Sequence, residues 1–177
     1  LRQTSESLLG RVEVIEVEVA GPPTSVTLRA AGWAEAVVLI AGIGAPSDVV
    51  SVEPATGISP ERVVVRTTDG AVAAASVTAA GIVVHVQAGA ALDEVTLRSY
   101  CIGAAHMAFG WVTSEGIAVD ADGTVLDLTI RSLGVLKASD TPHIQIVVDP
   151  SGGEPVQVSD AVFAAVAAAT WRHLGCP

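Results

Sequence analysis

Aromatic and basic residues are scarce in this sequence. Aromatic side chains make up 3% of the 177 residues, and nine Lys and Arg stand against nineteen Asp and Glu, which gives a formal net charge of −10. A surface this acidic repels phosphate backbones, so nucleic acid is not an expected ligand. The chain also has no cluster of Lys and Arg of the kind that attracts anionic lipid.

Cysteine and long apolar runs are scarce as well. Cys101 and Cys176 are too few for a disulfide framework, and we expect both to be reduced thiols in a cytoplasmic protein. Two cysteines also exclude a four-cysteine iron–sulfur site within this chain. The longest apolar runs, residues 36–44 and 161–169, are far shorter than the roughly 20 residues of a membrane-spanning helix, and no basic leader is evident, so we expect no membrane association.

Small apolar side chains, by contrast, are abundant. Half of the residues are hydrophobic and the mean hydropathy is +0.56, with Ala, Val and Gly carrying most of the apolar content. Such side chains favour thin, closely stacked layers, and they leave apolar surface available for a partner.

Alternation of apolar and polar residues predicts a series of strands, and helical spacing predicts two long helices. Strands are predicted at residues 11–19, 24–29, 48–53, 62–67, 71–78, 82–87, 125–131 and 143–149. The segment 33–44 fits either a buried strand or a helix. Helices are predicted at about 92–114 and 159–174, the second capped by Ser159 or Asp160. The predicted fold class is α+β, with two long packed helices on an antiparallel or mixed sheet.

The run Gly152-Gly153-Glu154-Pro155 stands directly before the last predicted helix. A glycine pair lets backbone approach another group closely, so this run, called here the 152–155 bend, is predicted to aim one carboxylate into a cavity. Taken alone, Glu154 is more simply explained as a complement to the positive end of that helix. The catalytic interpretation gains weight from a second segment upstream, residues 101–115.

Together the two segments resemble the C-terminal end of the molybdenum-binding subunit of the xanthine dehydrogenase and aldehyde oxidase family. In that family a Gly- and Met-rich helix ends in a Gly-hydrophobic-x-x-x-Glu pattern. A strand pair, an Asp-x-Pro loop and a Gly-x-Gly-Glu-Pro turn follow before the last helix. The corresponding segments here are residues 103–115, 120–123, Asp140-Thr141-Pro142, the 152–155 bend and 161–166. The resemblance covers about residues 71–174, and residues 1–70 form a strand-rich region of unclear kinship.

The resemblance implies that Glu154 is a general base, which in that family takes a proton from a hydroxide on molybdenum. It also implies cofactor contacts at four small residues: Gly103, Ala104, Gly152 and Gly153. The sequence departs from the family in two places. Tyr100 stands where the family has a glutamine, and a phenol cannot copy the paired donor and acceptor of an amide. Pro150 and Ser151 stand where a basic residue often precedes the bend.

The sequence therefore supports two functions of different classes. The first is an accessory subunit or C-terminal segment of a molybdenum hydroxylase-type oxidoreductase, inactive alone and binding no cofactor itself, with molybdopterin held in a larger partner chain. The alternative is a non-catalytic, cofactor-free interaction or assembly protein that forms a homo-oligomer. A weaker possibility is a small-molecule carrier whose pocket is lined by Trp33, Met107 and Trp111. The four histidines show no ligand spacing, so no metal site is predicted in this chain.

Overall fold

A computed structural model describes residues 26–44, 47–54, 61–126 and 129–175. The helices of these residues are α1 (Val26–Ile43), α2 (Glu94–Thr113), α3 (Ile130–Leu133) and α4 (Ser159–His173), and a 3₁₀ turn covers Ala138–Asp140. The strands are β1 (Val50–Pro54), β2 (Glu61–Arg66), β3 (Val72–Thr78), β4 (Gly81–Gln87) and β5 (Ile144–Val148). The predicted α+β class is confirmed.

The five strands form one mixed sheet in the order β1-β2-β3-β4-β5. The first four strands make an antiparallel meander, and β5 adds to its edge parallel to β4. A parallel neighbour requires a crossover connection, and here α2 lies within that crossover. Residue 70 lies in the turn between β2 and β3, so residues from before and after it share one sheet.

Three helices pack against one face of the sheet. α4 lies over β2 and β3, α1 lies beside it near β1, and α2 lies on its other side near β5. Residues 161–170 of α4 are buried except for the half-buried Phe163. Alanine makes up much of this segment, and its short side chain lets the sheet and two helices approach α4 at once. At one crossing the approach is so close that a Cβ on Gly42 of α1 would overlap the ring of Trp171.

Several predicted elements differ from the structure. Residues 26–29 begin α1 and are not a strand, and the ambiguous segment 33–44 continues that helix. The predicted strand 125–131 is wrong, because Val125 makes only one isolated pairing with Val119 and Thr129 caps α3 through the amide of Ser132. The described residues of this segment, 117–126 and 129–130, are all exposed and so share no buried apolar face that would hold a strand. The strand predicted at 11–19 lies outside the described residues.

The end of each long helix is set by different chemistry. Asp93 accepts a hydrogen bond from the amide of Thr96 at 2.6 Å and so begins α2. That bond lowers the pKa of the Asp93 carboxyl below its usual value. The prediction of a Ser159 or Asp160 cap on α4 is wrong, because α4 follows Val158 and has no side-chain cap. The positive φ of Gly175, at 85°, ends α4 as its sequence indicates.

A glycine comparison tests how tightly the β3–β4 hairpin meets β5. Gly81 has a φ of 135°, its Cβ would overlap the carbonyl of His143, and that carbonyl accepts the Ile82 amide at 2.8 Å. We expect Gly81→Ala to lower the free energy of unfolding by about 2–4 kcal/mol, because backbone strain and displacement of a neighbouring strand both contribute. Gly70→Ala is the matched control, since Gly70 also has a positive φ, at 94°, but open space around it. Urea denaturation measures the free energy of unfolding of both variants. An equal decrease in the two would contradict the close approach of Gly81 to the His143 carbonyl.

Candidate functional site

The 152–155 bend lies at the end of the sheet where β4 leads into α2. The amide of Ala90, in the β4–α2 loop, donates to the carbonyl of Gly153 at 3.1 Å. On the other side of the bend, the amide of Val156 donates to the carbonyl of Ala88 at 3.0 Å. These two backbone bonds join loops that are more than 60 residues apart, so the bend has a defined position on the fold.

Glu154 itself is exposed, as are Gly152 and Gly153. The expectation that the bend aims this carboxylate into a cavity is therefore not met within the described residues. None of the three grooves described below is lined by Glu154. A dry environment for the carboxylate would have to come from groups outside the described residues.

Gly103 and Ala104 lie on α2 and border a groove of about 670 Å³. Gly103 is exposed, whereas Ala104 is buried against the core with 3% exposure. Tyr100 borders the same groove and is 67% exposed. The segment that follows the bend contributes Gln157 to the groove. The structure thus brings the α2 positions and the tail segment together, but Glu154 lies outside this groove.

The outer surface of α2 and the loop before it carry exposed apolar side chains. Leu92 is 93% exposed, Val95 77% and Met107 55%. Large apolar side chains in such numbers on one side of a small fold are typical of an interaction surface. We call these three residues and Tyr100 the α2 apolar surface.

A smaller apolar groove lies between α1, α2 and the start of α4. It holds about 250 Å³, and Trp33, Met107 and Phe163 are among its lining residues. Trp111 packs against Phe163 with the rings tilted by 39° and their centroids 5.4 Å apart, but it does not line the groove. Of the three residues expected to line a small-molecule pocket, Trp33 and Met107 therefore line this groove and Trp111 does not. A third groove, of about 440 Å³, lies nearby between Trp33, Asp69 and Asp160.

The described residues do not form a metal centre. His85 Nδ1 lies 3.3 Å from an Asp149 carboxylate oxygen, and His106 Nδ1 lies 2.9 Å from the Thr141 hydroxyl. His143 and His173 are exposed. No three His, Cys, Asp or Glu side chains in the described part of the chain converge in a way that could hold a metal ion.

Cys101 is a buried free thiol in the middle of α2. Burial raises its pKa to about 11, and the nearby Arg98 guanidinium opposes part of this effect. A thiol with a raised pKa stays protonated at neutral pH and is a poor nucleophile. Cys101 is therefore part of the core and not a candidate catalytic residue.

The raised pKa of Cys101 predicts a pH dependence of stability. In the unfolded chain the thiol ionises at about pH 8.5–9, whereas the folded thiol stays neutral to about pH 11. The contribution of the buried thiol to the free energy of unfolding is therefore complete below about pH 8, and it is lost as the pH rises from there to about 11. We expect the difference in unfolding free energy between wild type and Cys101→Ala to fall by roughly 1.4 kcal/mol per pH unit between pH 9 and 11. Chemical denaturation in that range measures it, and a constant difference would contradict the burial of the thiol.

Comparison with known proteins gives similarity at the level of structure only. No protein-family model matches the sequence, and no curated protein matches it either. The chain is similar to quinoline 2-oxidoreductase from Pseudomonas putida 86, with a TM-score of 0.47 and 16% identity over 65% of this chain and 16% of that one. It is also similar to a Cu,Mo-CO dehydrogenase in its carbon monoxide-reduced state, with a TM-score of 0.49 and 12% identity over 65% of this chain and 15% of that one.

A reconstituted CO dehydrogenase from Oligotropha carboxidovorans gives a TM-score of 0.48 and 12% identity over 66% of this chain and 16% of that one. The chain spans only 15–16% of the length of these three chains. At such TM-scores and identities the likeness assigns no activity to this chain.

None of the helices of the described residues combines the length and hydropathy that a membrane span needs.

Proposed function

We propose that this chain is an accessory subunit or C-terminal segment of a molybdenum hydroxylase-type oxidoreductase and acts with a larger cofactor-bearing chain. The observation that carries the proposal is the 152–155 bend, which backbone bonds hold at one end of the sheet with its carboxylate exposed. The order of the sequence segments that resemble the xanthine dehydrogenase and aldehyde oxidase family supports the same assignment. Such a chain would deliver Glu154 into an active site that the partner provides.

The described residues fit a molybdopterin site poorly when taken alone. Tyr100, at the position of the family's glutamine, is exposed and presents a phenol. Gly103, Gly152 and Gly153 face open space, and the side chain before the bend is the neutral Ser151. The cofactor would therefore be bound by the partner, and no cofactor contact is assigned to this chain beyond close backbone approach at its glycines.

Glu154 would act as a proton acceptor in the assembled site. A general base has to lie within hydrogen-bond reach of the proton that it removes, and an exposed carboxylate on a fixed bend can be brought into such contact by docking. The α2 apolar surface gives a docking partner apolar area to bury on the same side of the molecule as the groove bordered by Gln157. Docking would exclude water from the carboxylate, as its role requires.

Purification from the native host tests this proposal. We expect the tagged chain to retain a larger chain in a fixed ratio, with molybdenum measured in the purified complex and turnover only when both chains are present. The proposal includes a cytoplasmic location, which is compatible with the free thiol of Cys101. A metal-free preparation that contains this chain alone, and that adds no activity to any molybdenum-containing chain of the host, would contradict it.

The second candidate is a cofactor-free assembly protein, and the α2 apolar surface is the observation that favours it. If two or more copies bury this surface against one another, light scattering will give a discrete oligomer without metal. In that case Tyr100→Glu dissociates the oligomer. If both the wild-type protein and Tyr100→Glu are monomers by light scattering, the chain is not a self-assembling protein and this second function is excluded.

A further inference from the structure

We infer that Ser151 and Gly89 form a clamp that holds the 152–155 bend, and therefore Glu154, in one orientation. The catalytic meaning of this clamp rests on the proposed function, whereas its existence does not. Neither residue is singled out by the sequence as a site residue. They are 62 positions apart: Gly89 lies in the β4–α2 loop, and Ser151 directly precedes the bend.

The Ser151 hydroxyl bonds to both backbone groups of one residue. It accepts a hydrogen bond from the Gly89 amide at 3.0 Å, and it donates to the Gly89 carbonyl at 3.4 Å. Both residues are half-buried. Since a hydroxyl is one donor and an acceptor, this single side chain satisfies two backbone groups of an irregular loop that have no strand partner there.

Gly89 completes the clamp by its lack of a side chain. Its φ is 68°, and a Cβ at this position would overlap the backbone carbonyl of Glu154. The backbone of Glu154 therefore rests directly on Gly89, and the Ala90 and Val156 amides bond on either side of that contact. Four hydrogen bonds and one close packing contact thus fix the peptide that carries the Glu154 side chain.

Fixing this peptide matters because the Glu154 side chain is exposed and no hydrogen bond or ion pair with the described residues orients it. A catalytic group must be held close to its productive geometry by supporting residues. Ser151 is accordingly a positioning residue that acts through Gly89. Its hydrogen bonds hold the bend in place from the position where the family often has a basic residue.

Amide hydrogen exchange of the isolated 177-residue chain tests the clamp without any activity. In Ser151→Ala we expect the Gly89, Ala90 and Val156 amides to exchange about tenfold faster, which corresponds to the loss of one to two hydrogen bonds. The amide of Val84, within β4, keeps its rate. Ser151→Thr restores the slow exchange because it keeps the hydroxyl, and Ser139→Ala, which removes an exposed serine hydroxyl elsewhere, changes none of the three rates. Unchanged exchange in Ser151→Ala overturns the inference.

A glycine pair gives a second measurement that does not depend on Ser151. Gly89→Ala is expected to accelerate exchange at Ala90 and Val156 more than Ser151→Ala does, because the new methyl group displaces Glu154. Gly44→Ala is its matched control: Gly44 has nearly the same φ, 65°, with open space around it. If the Ala90 and Val156 amides exchange at equal rates in the two glycine variants, the close packing of Gly89 against the Glu154 backbone is not part of the clamp.

Kinetics of the assembled complex separate the clamp from the proposed function. Where Glu154→Gln abolishes turnover, we expect Ser151→Ala to lower kcat about tenfold with KM unchanged, and Ser151→Thr to restore it. An unchanged kcat in Ser151→Ala would show that the clamp does not position Glu154. If Glu154→Gln leaves turnover intact, the proposed function fails, and the clamp is judged by hydrogen exchange alone.

Discussion

Glu154→Gln lowers the turnover of the assembled complex by about 100- to 10,000-fold, the range typical for loss of a general acid or base. An amide has nearly the shape of the carboxylate but cannot accept the proton. Glu154 is exposed and lies in a bend stabilised through its backbone. The substitution is therefore expected to leave folding and assembly unchanged. Steady-state kinetics of the purified complex, together with its elution volume in size-exclusion chromatography, provide the measurement.

The matched control for this prediction is Asp160→Asn. Asp160 is a second exposed acid, six residues further along the chain, in the first turn of α4. Its substitution removes the same charge from the same region without touching the bend, so turnover should change less than about threefold. Similar losses in both variants would indicate an effect of surface charge on docking and would remove the catalytic assignment of Glu154.

Ala165→Leu lowers the free energy of unfolding by about 1–3 kcal/mol, because α4 has no room for larger side chains. Ala165 has 0% exposure, and it lies in a helix that contacts the sheet and both neighbouring long helices. Three extra carbon atoms must separate at least two of these layers. For a chain of this length the loss corresponds to a fall of roughly 3–10 °C in Tm, measured by calorimetry or circular dichroism.

Ala31→Leu makes the same change at an exposed position of another helix, α1. Its effect should stay within about 0.5 kcal/mol. A loss at Ala165 no larger than at Ala31 would mean that α4 is not enclosed on all sides. That result would also weaken the defined position of the bend, since the bend leads directly into α4.

The strands β1 to β5 and the helices α2 and α4 follow from local pattern. Ile82, Val84 and Val86 alternate with polar or less buried residues and all face the core. α1 could not be assigned from pattern, because the continuous run Val37 to Ile40 fits a buried strand as well as a helix. The prediction at 125–131 was wrong for another reason: among the described residues no neighbouring strand completes a sheet there, and Leu126 and Ile130 remain exposed.

The candidate site was predictable only in part. The position of the bend before a helix was evident from its glycines and from the apolar segment that follows. The exposure of Glu154 was not predictable, because it depends on which surfaces the rest of the fold leaves uncovered. The contact between Ser151 and Gly89 was missed since it is long-range, although a glycine just after a strand, at the start of the β4–α2 loop, is a weak signal of close backbone approach.

Enclosure of α4 has a consequence for biosynthesis. The apolar face of the sheet formed by β2 and β3 is covered by a helix that is encoded after every strand. While the ribosome is still translating, that face has no cover, and a nascent chain with an apolar sheet face exposed is prone to aggregate. The face therefore cannot pack natively until residues 159–173 have left the ribosome. Until then it is available for binding by holdase chaperones.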